Sequence, residues 1–316
     1  MSLTRTSLLL PLGVLHVRGT DAITFLQGQV SNDVAQLSPS RALLAGYHNP
    51  QGRVIALLRL LQPSPGEVLA VLPRELATTV AARLAKFILR AKVTVTDVST
   101  QWTVAGLVGS AAGASDLRPA DDAGGPPGTA LPPAPDVTAR LGASLAVRLG
   151  GEPGRWLLIT PAAQPAAPAG DATGRQAWQR LAVAAGEPQV YARTSEEFVA
   201  QMLNLDALGA IAFDKGCYTG QEVIARAHYR GRVKRRMQRF VSTAPVLLQP
   251  ADAGVLEDGR PFKVVDAIAL DDGRSEFLAV TPLVAGAPDA EGGASGTGHG
   301  QRLGAEPLPL PYALPL

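Results

Sequence analysis

One residue type occurs once in this chain, and in an unusual setting. Cys217 is the only cysteine of 316 residues and lies in the run KGCYTGQEVIARAHYRGRVKRR, Lys215 to Arg236. Thr219 and Glu222 have the spacing of a capping box, which predicts a helix beginning at Gly220 and Gln221. Cys217 then falls just ahead of a helix start, where unpaired N–H groups and the positive dipole end favour an anion. Lys215 stands close by in sequence. Together these effects favour thiolate over thiol, while Gly216 and Gly220 let the backbone turn and leave the sulfur accessible. The chemistry would be that of a reactive or anion-contacting sulfur. The other reading is a small buried hydrophobe, the usual fate of a free cysteine. A cysteine-protease arrangement has little support, because His16, His48, His228 and His299 sit in no partner motif.

Cations follow the cysteine. Arg226, His228, Arg230, Arg232, Lys234 and Arg236 fall at every second position, so a strand here would carry one cationic face able to hold phosphate or a polycarboxylate. The alternative is a solvated edge strand whose charges oppose aggregation. Formal net charge is only +2, so any anion preference is local and direct nucleic-acid binding is not expected. No CxxC or His/Cys cluster offers a metal site, and a lone cysteine suits a reducing compartment. The N-terminal SLLLPLGVL is short and broken by Pro11 and Gly13. It lacks a cleavage pattern, and no apolar run reaches the length of a membrane span. A cytoplasmic protein is expected.

The elements that must position this segment can be read in turn. Thr20 or Asp21 can cap a short helix with Ile23, Phe25 and Leu26 on its apolar face and Gly28 at its end. Two apolar runs around Asn49-Pro50-Gln51-Gly52 predict a β-hairpin. Glu67 to Leu72 reads as a further strand, and Leu76, Val80, Leu84, Phe87 and Ile88 share one face of a helix. Strands are expected at 93–98, 102–108 and 156–160, and a helix around Trp178 with Leu181, Ala182 and Ala185 inward and Gly186 as its stop. The order indicates an α+β fold. Residues 110–137 are an Ala/Gly/Pro-rich loop, with similar inserts at 161–174 and 285–303. Short apolar runs between turns after Arg239 suit a small β-barrel or sandwich. The expected division is 1–240, as two subdomains, and 241–316.

The run GAIAFDKGCYTGQEVIARAHYRGRVKRR resembles the signature of the YgfZ-type folate-binding proteins, relatives of the glycine-cleavage aminomethyltransferase, or T-protein. Supporting matches are GTDAITFLQGQVSNDV, the hairpin with PQGR, and NLDALGAI. The resemblance implies an aminomethyltransferase-like arrangement of subdomains around a central opening that binds tetrahydrofolate. It implies an accessory role in assembly or repair of iron–sulfur enzymes, including a tRNA-modifying one, through transient contact with those clients. Cys217 maps onto the functional thiol, with Lys215 beside it. Trp178 maps onto an aromatic folate contact, where the residues alone also allow a core tryptophan. Tyr218, Gln221 and Glu222 come with the motif. Arg226 and Arg230 could meet the glutamate tail, which needs positive partners. Four positions depart from the pattern. Leu12 replaces a second aromatic, Ala200 a proline, and Ala56 and Leu57 the acidic residues of the transferases. That last change argues against glycine-cleavage chemistry and leaves a folate-dependent one-carbon (aminomethyl) transferase as the alternative reading.

Overall fold

The hairpin forms where proline and glycine favour a reversal. In the computed structural model, which describes residues 6–109, 131–164, 172–231, 233–283 and 302–315, the first elements are β1 (Thr6–Leu9), β2 (Leu12–Arg18) and α1 (Ala22–Gln27). The hairpin strands β3 (Leu43–His48) and β4 (Val54–Ser64) follow, then β5 (Glu67–Pro73) and α2 (Arg74–Ala85). Asn49 closes the hairpin turn with its own side chain, its Oδ1 accepting the backbone N–H groups of Gln51 and Arg53 at 3.0 Å each. Asp21 caps α1 by position but makes no side-chain cap bond there. Its carboxylate instead accepts the backbone N–H of Lys92 at 2.7 Å.

With β6 (Thr94–Asp97) these strands make an antiparallel sheet in the order β3-β4-β5-β2-β6. Both of its faces are covered. Along β5, Val68, Ala70 and Leu72 point into one core with α1 and α2, while Leu69 and Val71 point into a second. A strand dry on both sides needs no polar alternation, which explains why VIALLRLL and EVLAVLP read as continuous apolar runs. Helix α2 buries Leu76, Val80 and Leu84 as its spacing predicts, but it ends at Ala85, so Phe87 lies outside it and is 49% exposed.

The second core is shared with another sheet, ordered β1-β7-β10-β9-β8. Its members are β1, β7 (Trp102–Gly109), β8 (Thr138–Leu141), β9 (Ser144–Leu149) and β10 (Gly154–Pro161). Leu145, Val147, Leu149, Leu157 and Ile159 face the first sheet, and Ala146 and Trp156 face away. Trp156 is fully buried, and its indole N–H donates to Pro132 O at 2.8 Å. Strands β8 and β9 add to the sequence expectation. The loop expected over 110–137 lies outside the described residues up to 130. The insert expected over 161–174 gives way at its end to α3 (Ala172–Ala184), and the one expected over 285–303 gives way at its end to β15 (Arg302–Leu303).

The last sheet has the order β15-β12-β13-β14-β11-β16. After α4 (Gln221–Tyr229) it takes in β11 (Arg235–Ser242), β12 (Ala253–Leu256), β13 (Pro261–Ala269), β14 (Ser275–Pro282), β15 and β16 (Ala305–Leu308). Strands β15 and β16 occupy opposite edges yet are separated in the chain only by Gly304. The sheet must therefore curl until its edges approach each other. It is a half-barrel closed through the chain and not through a ladder of hydrogen bonds. Phe240, Phe262 and Phe277 fill its inside, while Met237, Leu278 and Val280 join the first core. The expected boundary at 240/241 falls inside β11. Among the described residues, no helix is long and apolar enough to cross a membrane.

Candidate functional site

The three sheets leave a cavity of about 740 Å³ where they meet. Leu12, Leu44, Leu57, Val71 and Leu72 line it from the first sheet, Leu8, Leu149 and Leu157 from the second, and Leu10 from the link between them. Helix α3 contributes Trp178, Gln179 and Ala182, and β13 contributes Asp266. Trp178 lies flat against the second sheet at Gly106. A Cβ at that position would come within 2.6 Å of the indole, so only glycine lets the ring seat there. The Arg155 guanidinium sits over the same ring at 5.4 Å, a cation–π distance.

Polar groups cluster at two places on the cavity wall. Glu187, just past the α3 stop, bonds Arg59 at 2.9 Å and Arg155 at 2.8 Å. These arginines hold the Glu187 carboxyl below its ordinary range against the opposing effect of burial. Across the wall, Asp266 accepts the Tyr191 hydroxyl at 3.0 Å and the Gln179 amide at 3.1 Å. Burial pushes its carboxyl up to about 6. None of these residues was singled out from sequence. A signal was present: Arg59 and Asp266 are single charges inside apolar strand runs, LLRLL and VVDAIA, and a lone charge there must have a partner or a task.

The cysteine segment is built differently. Helix α4 starts at Gln221 with Gly220 as its N-cap and no side-chain cap bond, so the expected Thr219–Glu222 capping box does not form. Gly220 has φ +83°, and a Cβ there would lie 2.6 Å from Asn49 O at the hairpin turn. That close approach seats the loop on the hairpin. Cys217 is exposed, so the buried-hydrophobe reading fails. Lys215 does not face outward with it. Its ammonium donates to the carbonyls of Gln27 and Val30 at 2.7 Å and of Asn32 at 2.8 Å, clamping the loop to the end of α1. Burial pulls its pKa down to about 8. The ammonium also lies 5.0 Å from the Tyr218 ring centroid. Tyr218 is buried, and burial pushes its hydroxyl up to about 12.

Beneath Tyr218 lies His48, with ring centroids 6.2 Å apart. His48 is 1% exposed, and among the described residues neither ring nitrogen has a hydrogen-bond partner of normal geometry. Burial drives its pKa down to about 3, so it is neutral.

The structure brings Lys215, Cys217, Tyr218, Gln221 and Glu222 together in the loop and first turn of α4. It does not bring them to Trp178. Among the described residues, none of Tyr218, Gln221, Glu222, Arg226 and Arg230 lines the cavity. Arg226 and Arg230 are exposed, on and just after α4. The helix expected to begin at Gly220 and Gln221 runs from Gln221 to Tyr229, so the cations within it do not share a strand face, and Arg232 lies outside the described residues. Arg236, on β11, is buried and paired with Asp206 through two bonds of 2.9 Å. The two regions are linked by the β3–β4 hairpin. Its turn meets Gly220 and Val223, and its strands reach the cavity at Leu44 and Leu57. Gly52 to Leu57 is about 17 Å of extended chain.

Three joined sheets around a central cavity make the fold aminomethyltransferase-like. The crystal structure of glycine cleavage system aminomethyltransferase T from Bartonella henselae superposes with a TM-score of 0.60 over 89% of this chain and 79% of that one, at 14% identity. At that identity the likeness concerns the fold. No protein-family model matches the chain. The curated "tRNA-modifying protein YgfZ" of Enterobacter sp. (strain 638) is 32% identical over 270 residues, covering 82% of this chain and 79% of that protein. The protein of the same name from Escherichia fergusonii is 30% identical over the same shares. The chain belongs to the YgfZ family.

Proposed function

We propose that this protein is a tetrahydrofolate-binding accessory factor that supports assembly or repair of iron–sulfur enzymes in the cytoplasm, a tRNA-modifying enzyme among them. The observation that carries the reading is the cavity. Its size falls in the range of small-molecule sites, its walls are largely apolar, and it offers an aromatic side chain, Trp178, together with convergent polar and charged groups. That donor set fits a pteridine: a planar ring for the indole, apolar edges for the leucines, and hydrogen-bonding atoms for the polar wall. Bound folate would supply a carrier for one-carbon units. Leu12, where relatives place an aromatic, also lines the cavity, so the wall there is aliphatic.

Cys217 serves the second half of the role. It is exposed on a loop anchored from below, a placement suited to transient contact with a client protein. The alternative, an aminomethyl transferase, lacks support at Ala56 and Leu57, which are buried and carry no carboxylate.

Two measurements test the reading. Titration with 5-formyltetrahydrofolate is expected to show binding by the wild type and loss of it in Trp178→Ala; equal weak binding by both removes the pocket assignment. In a strain lacking its own relative, wild type is expected to restore iron–sulfur enzyme activity and Cys217→Ser to fail. Full restoration by the serine variant would leave the thiol without a role.

A further inference from the structure

Among the described residues, the deeply placed acids meet arginine, with one exception. Asp206 pairs with Arg236, Glu276 with Arg239, and Glu187 with both Arg59 and Arg155. Asp266 is 3% exposed, and no cation among the described residues pairs with it. Its Oδ1 accepts the Gln179 amide at 3.1 Å and the Ala267 backbone N–H at 2.9 Å. Its Oδ2 accepts the Tyr191 hydroxyl at 3.0 Å. A carboxylate has about four acceptor sites, so one direction on Oδ2 is still open. Gln179 uses its Nε2 on Asp266 and on Ala267 O, at 2.9 Å for the latter. Its carbonyl oxygen is thereby left as a second acceptor, and both residues line the cavity.

Backbone geometry supports the same conclusion. The β13–β14 register shifts between Val264 and Asp266, and such bulges re-aim a side chain that regular pairing would point elsewhere. Here the strand brings a charged side chain to a cavity whose walls are otherwise largely apolar. A buried carboxylate with neutral donors and no counter-charge is costly unless a ligand completes its bonding.

We propose that Asp266, with Gln179 beside it, is the recognition point of the cavity for a planar heterocycle presenting adjacent N–H donors, the 2-amino group and ring N–H of a 2-amino-4-oxopyrimidine edge. The inference rests on the folate reading and names the polar contact within it. A simple ammonium would satisfy the charge but leave the Trp178 face and the leucine walls unused. Tyr191 is a positioning residue: its hydroxyl fixes the carboxylate and does not meet the ligand.

The test compares ligands as well as variants. Wild type, Asp266→Asn and Tyr191→Phe are titrated at pH 7.5 with 5-formyltetrahydrofolate, with 6-methylpterin, and with 6-methylpteridin-4-one, which lacks the 2-amino group. Wild type is expected to bind the pterin at least tenfold more tightly than the desamino compound. Asp266→Asn should shrink that ratio to within twofold, and Tyr191→Phe should lower pterin affinity a few-fold while keeping the ratio. Folate binding that is unchanged in Asp266→Asn overturns this inference and leaves the folate reading intact. If wild type ignores 5-formyltetrahydrofolate, the folate reading fails. Guanine then serves as the probe: Asp266-dependent binding sustains the inference, and its absence overturns it. Should Asp266→Asn not fold, the pterin-to-desamino ratio on wild type decides, and a ratio near one overturns it.

Discussion

Asp266 on the cavity wall and His48 in the floor beneath the cysteine loop are both deeply buried titratable groups, and the two are provided for in opposite ways. Asp266 has three hydrogen-bond donors and faces a cavity. Among the described residues His48 has no hydrogen-bond partner of normal geometry on either ring nitrogen, and it lies under Tyr218. The first region sets a few polar groups in a largely apolar wall that faces an open cavity. The second is closed, and the cysteine sulfur above it is on the outside. The contrast is between a cavity walled by three sheets and a thiol exposed on a loop anchored from below.

The contrast can be broken hardest with acid. Burial holds His48 near a pKa of about 3, against an unfolded value of 6.5. Between those values the unfolded chain binds more protons, so this histidine's contribution is complete above pH 6.5 and is lost as pH falls toward 3. Its size is about 5 kcal/mol. His48→Gln should remove that dependence, and urea midpoints measured from pH 7.5 to pH 4 check it. An unchanged acid slope in the variant would mean that His48 gains a partner on protonation.

The next test cuts the clamp. Lys215→Met leaves three carbonyls near the end of α1 without their shared donor, at an expected cost of about 3 kcal/mol. Cys217 should alkylate at a changed rate as the loop loosens, while pterin affinity stays within twofold because the cavity is elsewhere. Denaturant unfolding, iodoacetamide kinetics and a pterin titration separate these effects. Equal loss of pterin affinity would join the two regions into one site.

Trp178→Ala makes the reverse cut. Removing the indole deletes the flat face and its contact with Arg155, with an expected loss of about 2 kcal/mol in pterin affinity, roughly 30-fold. The alkylation rate of Cys217 should not move, with or without saturating ligand. Protection of the thiol by ligand would show that the cavity and the loop communicate through the hairpin.

How far these regions could be read in sequence follows the same division. The cysteine loop is local: KGCYTGQE, its glycines and the helix after it are contiguous, and they name the segment directly. The capping-box spacing located the helix start at Gln221, but its side-chain bonds do not form, because Gly220 adopts a left-handed turn against Asn49 and is itself the cap. The alternation of the cations did not discriminate strand from helix, since Arg226 and Arg230 also satisfy the four-residue helical spacing, and the helix ends at Tyr229. The cavity is the opposite case. Hairpin, β5 and α3 were each legible, as was Trp178, but Asp266 meets Gln179 from 87 residues away and Tyr191 from 75. Glu187 meets Arg59 across 128. Contacts of that separation leave only a lone charge in an apolar run as their trace.

The smallest effect is also the sharpest test of why Asp266 is an acid. Burial raises its pKa from 3.8 to about 6, so between those values the folded state binds more protons and stability falls as pH rises. At neutral pH the ionised carboxylate therefore costs about 3 kcal/mol relative to its protonated form. Asparagine removes that charge, yet it sets an amide N–H where Oδ1 or Oδ2 had accepted, and the lost bond offsets about 2 kcal/mol. The net expectation is a variant about 1 kcal/mol more stable than wild type at pH 7.5 and less stable at pH 4. Urea midpoints at the two pH values should cross. A variant less stable at both would mean that the acid serves the fold; the crossing would mean that the fold tolerates an unpaired acid for what the cavity binds.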